Sequence, residues 1–165
     1  FISRLDAEMI EFNKRTTDFS KTIVMQCESV WSAMRKPGVD YTVVSPFSKL
    51  ILEIDSSNVG IIIDKIVTNA VQYTEKGSVS VRYDYLGDSL IVSVEDTGCG
   101  IPSSALGNIF DRFATGANNG AGLGLAICNE LIKRLKGTIN IKSDEGKGTT
   151  VWFTVPCQAI EIERT

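Results

Sequence analysis

Apolar positions recur along this chain with two distinct periods, and the alternation between them lays out the elements. Ile2, Leu5, Met9 and Phe12 fall three and four residues apart among charged residues, which predicts an amphipathic helix over residues 1 to about 15. A second helix is predicted from Ser20, as N-cap, through Ile23, Val24, Cys27, Val30, Trp31 and Met34, ending before Pro37-Gly38. Short strands follow near Asp40–Val44 and Leu50–Ile54. From Ser57 to Gln72 the period is helical again, with Val59, Ile62, Ile63, Ile66, Val67, Ala70 and Val71 forming one core-facing stripe.

Period two returns in Ser78–Tyr85 and Ser89–Glu95, which predicts a hairpin turning at Gly87-Asp88. A glycine cluster, Gly120-Ala-Gly-Leu-Gly-Leu125, opens a helix running to about Lys136, with Gly137 placed to end it. A last hairpin, Thr138–Ser143 and Thr149–Val155, turns through Glu145-Gly-Lys-Gly148 and leaves Cys157–Thr165 as a tail or linker. Strands interleaved with long helices predict an α+β fold, a two-layer α/β sandwich in which three helices cover one face of a mixed sheet of about five strands.

The 165 residues suffice for one domain with its own core. No apolar run is long enough to span a bilayer. A chain that opens on Phe1 within a helical pattern reads as part of a longer protein. The net charge of −3 gives no overall attraction to nucleic acid. Four scattered cysteines and no histidine argue against a disulfide framework, a zinc site or a histidine-activated nucleophile.

The polar residues beside the stripes carry the candidate chemistry. Asn69 shares a helical row with Lys65 and Tyr73, with Gln72 close by, and its amide oxygen can complete a Mg²⁺ shell already filled by phosphate and water. The alternative is a polar helix edge. Asp96 ends a strand before Gly98 and Gly100, where a carboxylate can accept from an adenine amine, or simply make a turn. Gly120, Gly122 and Gly124 surround a helix start suited to phosphate, or to a tight turn into the helix. Residues 114–122 read as a mobile lid, with Arg112 before it able to reach phosphate or form a surface ion pair.

In order and wording these segments resemble the histidine kinase branch of the ATPase superfamily that includes DNA gyrase, heat-shock chaperones and mismatch-repair ATPases. Asn69-Ala with Tyr73-Thr is similar to its asparagine box. Asp96-Thr-Gly-Cys-Gly-Ile-Pro102 is similar to its first glycine box, Ile109-Phe-Asp-Arg-Phe113 to its phenylalanine box, and Gly122-Leu-Gly-Leu125 to its second glycine box. Thr149 matches a threonine near the end of the sheet.

The resemblance implies a Bergerat-type fold that binds ATP and Mg²⁺. Asn69 would hold the metal, Asp96 and Thr149 would read adenine, and Tyr73 would lie against the base. Gln72, Gly98, Gly100, Ile101, Gly120, Gly122, Leu123, Gly124 and Leu125 would complete the nucleotide site, with Lys65 and Arg112 as phosphate contacts. It further implies that residues 1–15 end a dimerisation and phosphoacceptor hairpin, that 16–156 form the catalytic domain, and that the γ-phosphate passes to a histidine upstream. A response-regulator receiver would be the next partner, the parent a homodimer, the domain alone a monomer, and its setting cytoplasmic on a parent that can be membrane-anchored. Two positions depart from the family. Lys65 stands where relatives carry Asn or a water-activating Glu, and Gln72 where many carry a cation. A lysine cannot serve as the hydrolytic base, which favours transfer over hydrolysis. The alternative is a nucleotide-sensing module that has lost transfer.

Overall fold

The computed structural model describes residues 11–110 and 119–165, with the side chains of 119–123 outside that description. Eight strands and four helices follow in the order β1 (Arg15–Asp18), α1 (Phe19–Met34), β2 (Val39–Val44), β3 (Phe47–Ile54), α2 (Ser56–Gln72), β4 (Gly77–Leu86), β5 (Ser89–Asp96), α3 (Ser103–Leu106), α4 (Asn119–Arg134), β6 (Thr138–Asp144), β7 (Gly148–Pro156) and β8 (Gln158–Arg164). Five strands form the main sheet in the order β2-β4-β5-β7-β6, with β2 parallel to β4 and the other pairs antiparallel. The predicted mixed five-strand sheet under three long helices is therefore present.

Period two puts Val79, Val81 and Tyr83, Leu90, Val92 and Val94, and Val151, Phe153 and Val155 on one buried face. The helix stripes meet that face with Ile23 and Cys27 from α1, Ile62, Ile66 and Val67 from α2, and Cys128, Leu131 and Ile132 from α4. The helix α2 lies between the other two, in contact with both.

Several boundaries differ from the sequence reading. Residues 11–14 are irregular and 15–18 form β1, so no helix reaches residue 15; residues 1–10 lie outside the described part. A competing tertiary pairing wins there, because β1 adds antiparallel to β3. Ser20 lies inside α1, whose N-cap is Asp18; the Ser20 hydroxyl donates to the Asp18 carboxylate at 2.7 Å. The expected tail is a strand, since β8 pairs antiparallel with β3 and closes a second sheet, β1-β3-β8.

Gly137 does not itself turn the end of α4. Lys136 takes the left-handed conformation at φ +64°, and the Gly137 N–H donates to the Ile132 carbonyl, the bond that closes a Schellman turn. Glycine is required at 137 for proximity, because a Cβ there would stand 1.9 Å from the Thr154 carbonyl of β7. Hydrogen bonds from outside the helix hold both ends of α2. Its N-cap Asp55 accepts from the Asn58 N–H at 3.1 Å and from the Asn13 N–H at 3.1 Å, while Asn58 Nδ2 donates to the Glu11 carbonyl. At the other end Lys36 Nζ donates to the carbonyls of Gln72 and Thr74, placing a cation at the negative pole of the helix.

Candidate nucleotide site

The main cleft opens where α2, the main sheet and the loop after β5 meet, and it spans about 590 Å³ counting its open mouth, within the range of small-molecule sites. Its floor is apolar, built from Val94, Ile141 and Val151 of the sheet and Ile66 and Ala70 of α2. Ile109 and Leu125 add apolar wall. Such a slot suits a flat ring system, and its polar groups are few, with Asp96 and Thr149 paired at one rim.

Those rim groups follow from strand register. The buried faces of β5 and β7 run Leu90, Val92, Val94 and Val155, Phe153, Val151, and the next residue on each is polar: Asp96 and Thr149, which pair directly across the two strands. Asp96 is only 8% exposed. Burial pushes its carboxyl above the usual carboxylate range, only partly offset by backbone N–H groups of Gly98 and Thr149. The Gly98 N–H reaches its Oδ1 at 2.9 Å.

The glycine loop is held by contacts that leave no room for a side chain. A Cβ on Gly98 would stand 2.3 Å from the Tyr73 carbonyl, and one on Gly100, at φ +71°, 2.1 Å from the Asp144 carbonyl. The loop is pinned on both flanks: the Cys99 N–H donates to the Tyr73 carbonyl, and the Gly146 N–H to the Cys99 carbonyl. It also brings Cys99, an exposed thiol, to the rim.

Of the residues singled out in the sequence, Asn69, Tyr73, Asp96, Gly100, Ile101, Leu125 and Thr149 line this one cleft. Gly98 supports it from behind through Asp96. Gly124 lies inside α4 where that helix meets α2, its Cβ position 3.5 Å from Asn69 Nδ2 and 4.0 Å from the Lys65 Cδ. It therefore faces α2 from inside a helix rather than opening one. Gly120, Gly122 and Leu123 belong to the first turns of α4, so residues 119–122 of the expected lid are helical. Gln72 does not join the site: its side chain is exposed and its carbonyl is taken by Lys36. Arg112, Phe113 and the rest of the lid lie outside the described residues.

Asn69 Nδ2 is buried with no hydrogen-bond partner among the described residues, an unusual state for a buried amide and one that points to a missing ligand. No cluster of three or more acidic, cysteine or histidine groups among the described residues could hold a metal alone. The donor set fits a hard cation that keeps its waters and takes its charge balance from phosphate, with one amide from the protein.

Ser143 is a residue beside this site that sequence reasoning missed. The signal for Ser143 was present: Ile139, Ile141 and Ser143 share one face of β6, so a hydroxyl continues an apolar row toward the rim.

A profile for the histidine kinase-, DNA gyrase B-, and HSP90-like ATPase matches residues 54–159, well over half of the chain and all of the cleft. The chain belongs to that ATPase family. Sensor protein kinases WalK from Staphylococcus saprophyticus and Staphylococcus aureus are each 30% identical over 97% of this chain, which spans 27% and 40% of their lengths. Full-length ShkA in complex with AMPPNP superposes with a TM-score of 0.78 at 27% identity, over 95% of this chain and 34% of that one. The catalytic domain of histidine kinase ThkA superposes with a TM-score of 0.71 at 26% identity, over 86% of this chain and 95% of its own. The chain is thus a histidine-kinase-type ATP-binding domain, and no helix among its described residues is long and apolar enough to cross a membrane.

Proposed function

We propose that this domain binds Mg²⁺-ATP in the cleft beside Asp96 and serves as the phosphoryl donor to a histidine on a dimerisation hairpin that residues 1–15 would lead from. The parent would be a homodimeric sensor kinase that passes the phosphate on to a receiver aspartate. The observation that carries this reading is the cross-strand pair of Asp96 and Thr149 at the end of an apolar slot. A buried carboxylate able to accept from an exocyclic amine, beside a ring-sized apolar floor, suits adenine. Tyr73 and Ile101 would flank the base.

Asn69 supports the metal assignment, since its orphaned amide lines the same cleft and can turn its oxygen toward a cation. Magnesium, when bound, would draw charge from the phosphate oxygens. The chain's own residues then bind and orient: the apolar floor excludes water from the base, and a helix start such as that of α4 is a setting suited to phosphate. Lys65, one turn before Asn69, supplies a cation and no proton acceptor, so the reading is transfer to an external nucleophile rather than hydrolysis.

Asp96→Ala is expected to weaken ATP binding about 10- to 100-fold in a calorimetric titration, the worth of one charge-assisted hydrogen bond. Asn69→Ala should weaken only the component that depends on Mg²⁺. Incubating the domain with Mg²⁺-ATP and the separately expressed upstream hairpin should place acid-labile phosphate on histidine. Binding without transfer to a folded hairpin would favour a nucleotide-sensing module, a reading to which the outward-facing Gln72 lends some weight.

A further inference from the structure

A hydroxyl behind the rim decides what kind of hydrogen bond the rim can make. Ser143 Oγ accepts from the Ile101 N–H at 2.8 Å and donates to the Gly148 carbonyl at 3.0 Å. It also lies 2.8 Å from Thr149 Oγ1. A serine hydroxyl has one proton and two acceptor sites. The carbonyl, which can only accept, takes the proton, and the Ile101 amide fills one acceptor site. One acceptor site remains, so the bond between the two hydroxyls is made with Thr149 as donor.

That assignment uses up the only proton of Thr149 on the side away from the cleft. Its oxygen faces the cleft as an acceptor. Asp96, its cross-strand neighbour, accepts as well when ionised, and already takes the Gly98 N–H on Oδ1. The two side chains therefore present lone pairs and no proton. An amine can satisfy that edge; a carbonyl set against it would face two acceptors and leave buried groups unpaired, the arrangement by which sites reject near-isosteric ligands.

We propose that Ser143 is a specificity-determining positioning residue, which fixes the Thr149 hydroxyl as an acceptor and so selects purine nucleotides carrying an amine rather than a carbonyl at C6. This rests on the reading that Asp96 and Thr149 face the base. Ser143→Ala frees the Thr149 hydroxyl to rotate and donate into the cleft, where a carbonyl can use it. The total affinity for nucleotide is then a poor readout, and the ratio between two nucleotides is the informative one.

The test measures Kd for ATP and for ITP, which carries a carbonyl in place of the amine at C6 and a proton on N1, by titration calorimetry on the whole chain. The wild type should prefer ATP, and Ser143→Ala should shrink that preference about three- to tenfold, the range of one ordinary hydrogen bond. Ser143→Thr keeps the hydroxyl and should restore it. In a Thr149→Val background Ser143→Ala should leave the ratio unchanged, since the hydroxyl it orients is gone. If Ser143→Ala does not fold, Ser143→Cys fills the same space with a poor acceptor and should move the ratio in the same direction. Equal weakening of both nucleotides, with the ratio constant in these variants, would mean a purely structural role and overturn the inference while leaving the base assignment intact. A wild type that binds ITP as well as ATP would overturn both.

Discussion

Asp96 is the residue whose chemistry is most exposed to test. Its carboxyl is held above the usual range mainly by burial, so the free domain disfavours the ionised form. The contribution to stability is present in full below the unfolded pKa and declines as pH rises through the higher folded value. Nucleotide works the other way, because an amine donor stabilises the ionised form. Adenosine affinity should therefore fall as pH is lowered from neutral through that raised pKa, and Asp96→Asn should bind weakly without this dependence; adenosine is the right probe because it carries no titrating phosphate. Cys99 offers an independent check. It is exposed at the rim, whereas Cys27, Cys128 and Cys157 are buried and burial pushes the Cys128 thiol up to about 12. A thiol-alkylating reagent should label Cys99 first, and saturating ATP should slow that labelling severalfold; mass spectrometry of the labelled peptides decides.

At the scale of elements, what could be read from sequence was whatever a local period encodes. The stripe of α2 and the alternation in β4, β5 and β7 place Asn69, Asp96 and Thr149 correctly, because each side chain is fixed by its place in a 3.6- or 2-residue repeat. The errors fall where pairing partners are remote. Gln158–Arg164 carries only a short alternation, Ile160-Glu-Ile162-Glu163, whose isoleucines stay exposed and whose partner β3 is distant in the chain. The same holds for β1, which broke the expected first helix. Gly124 was legible as part of a glycine cluster, yet its place against Asn69 across two helices was not. Because β8 also brings Arg164 over the Phe47 ring and onto Asp84, ending the chain at Pro156 should lower the melting temperature by about 5 °C or more while leaving ATP binding measurable below the transition, as followed by circular dichroism and titration.

For the whole molecule, the division is between a sheet that brings Asp96 and Thr149 together and two helices that meet at Asn69 and Gly124. Lys65 and Asn69 lie on the helix facing Gly124, and neither can take a proton from water. The domain alone with Mg²⁺-ATP should accordingly release inorganic phosphate no faster than a few times the protein-free background, as measured by a coupled phosphate assay. Steady turnover would point to a hydrolytic enzyme instead.

The bond from Ile101 to Ser143 joins residues 42 apart in the chain, and the Asp96–Thr149 pairing spans a similar separation. Long loops must close before either can form, which makes such contacts slow to arrive during folding. The hairpin of β4 and β5 can assemble from neighbours in sequence; the rim cannot. The rim is thus complete only once β7 lies between β5 and β6. Nucleotide reaches only chains whose sheet is finished, and so acts as a thermodynamic trap at the last step of assembly rather than a template for the first.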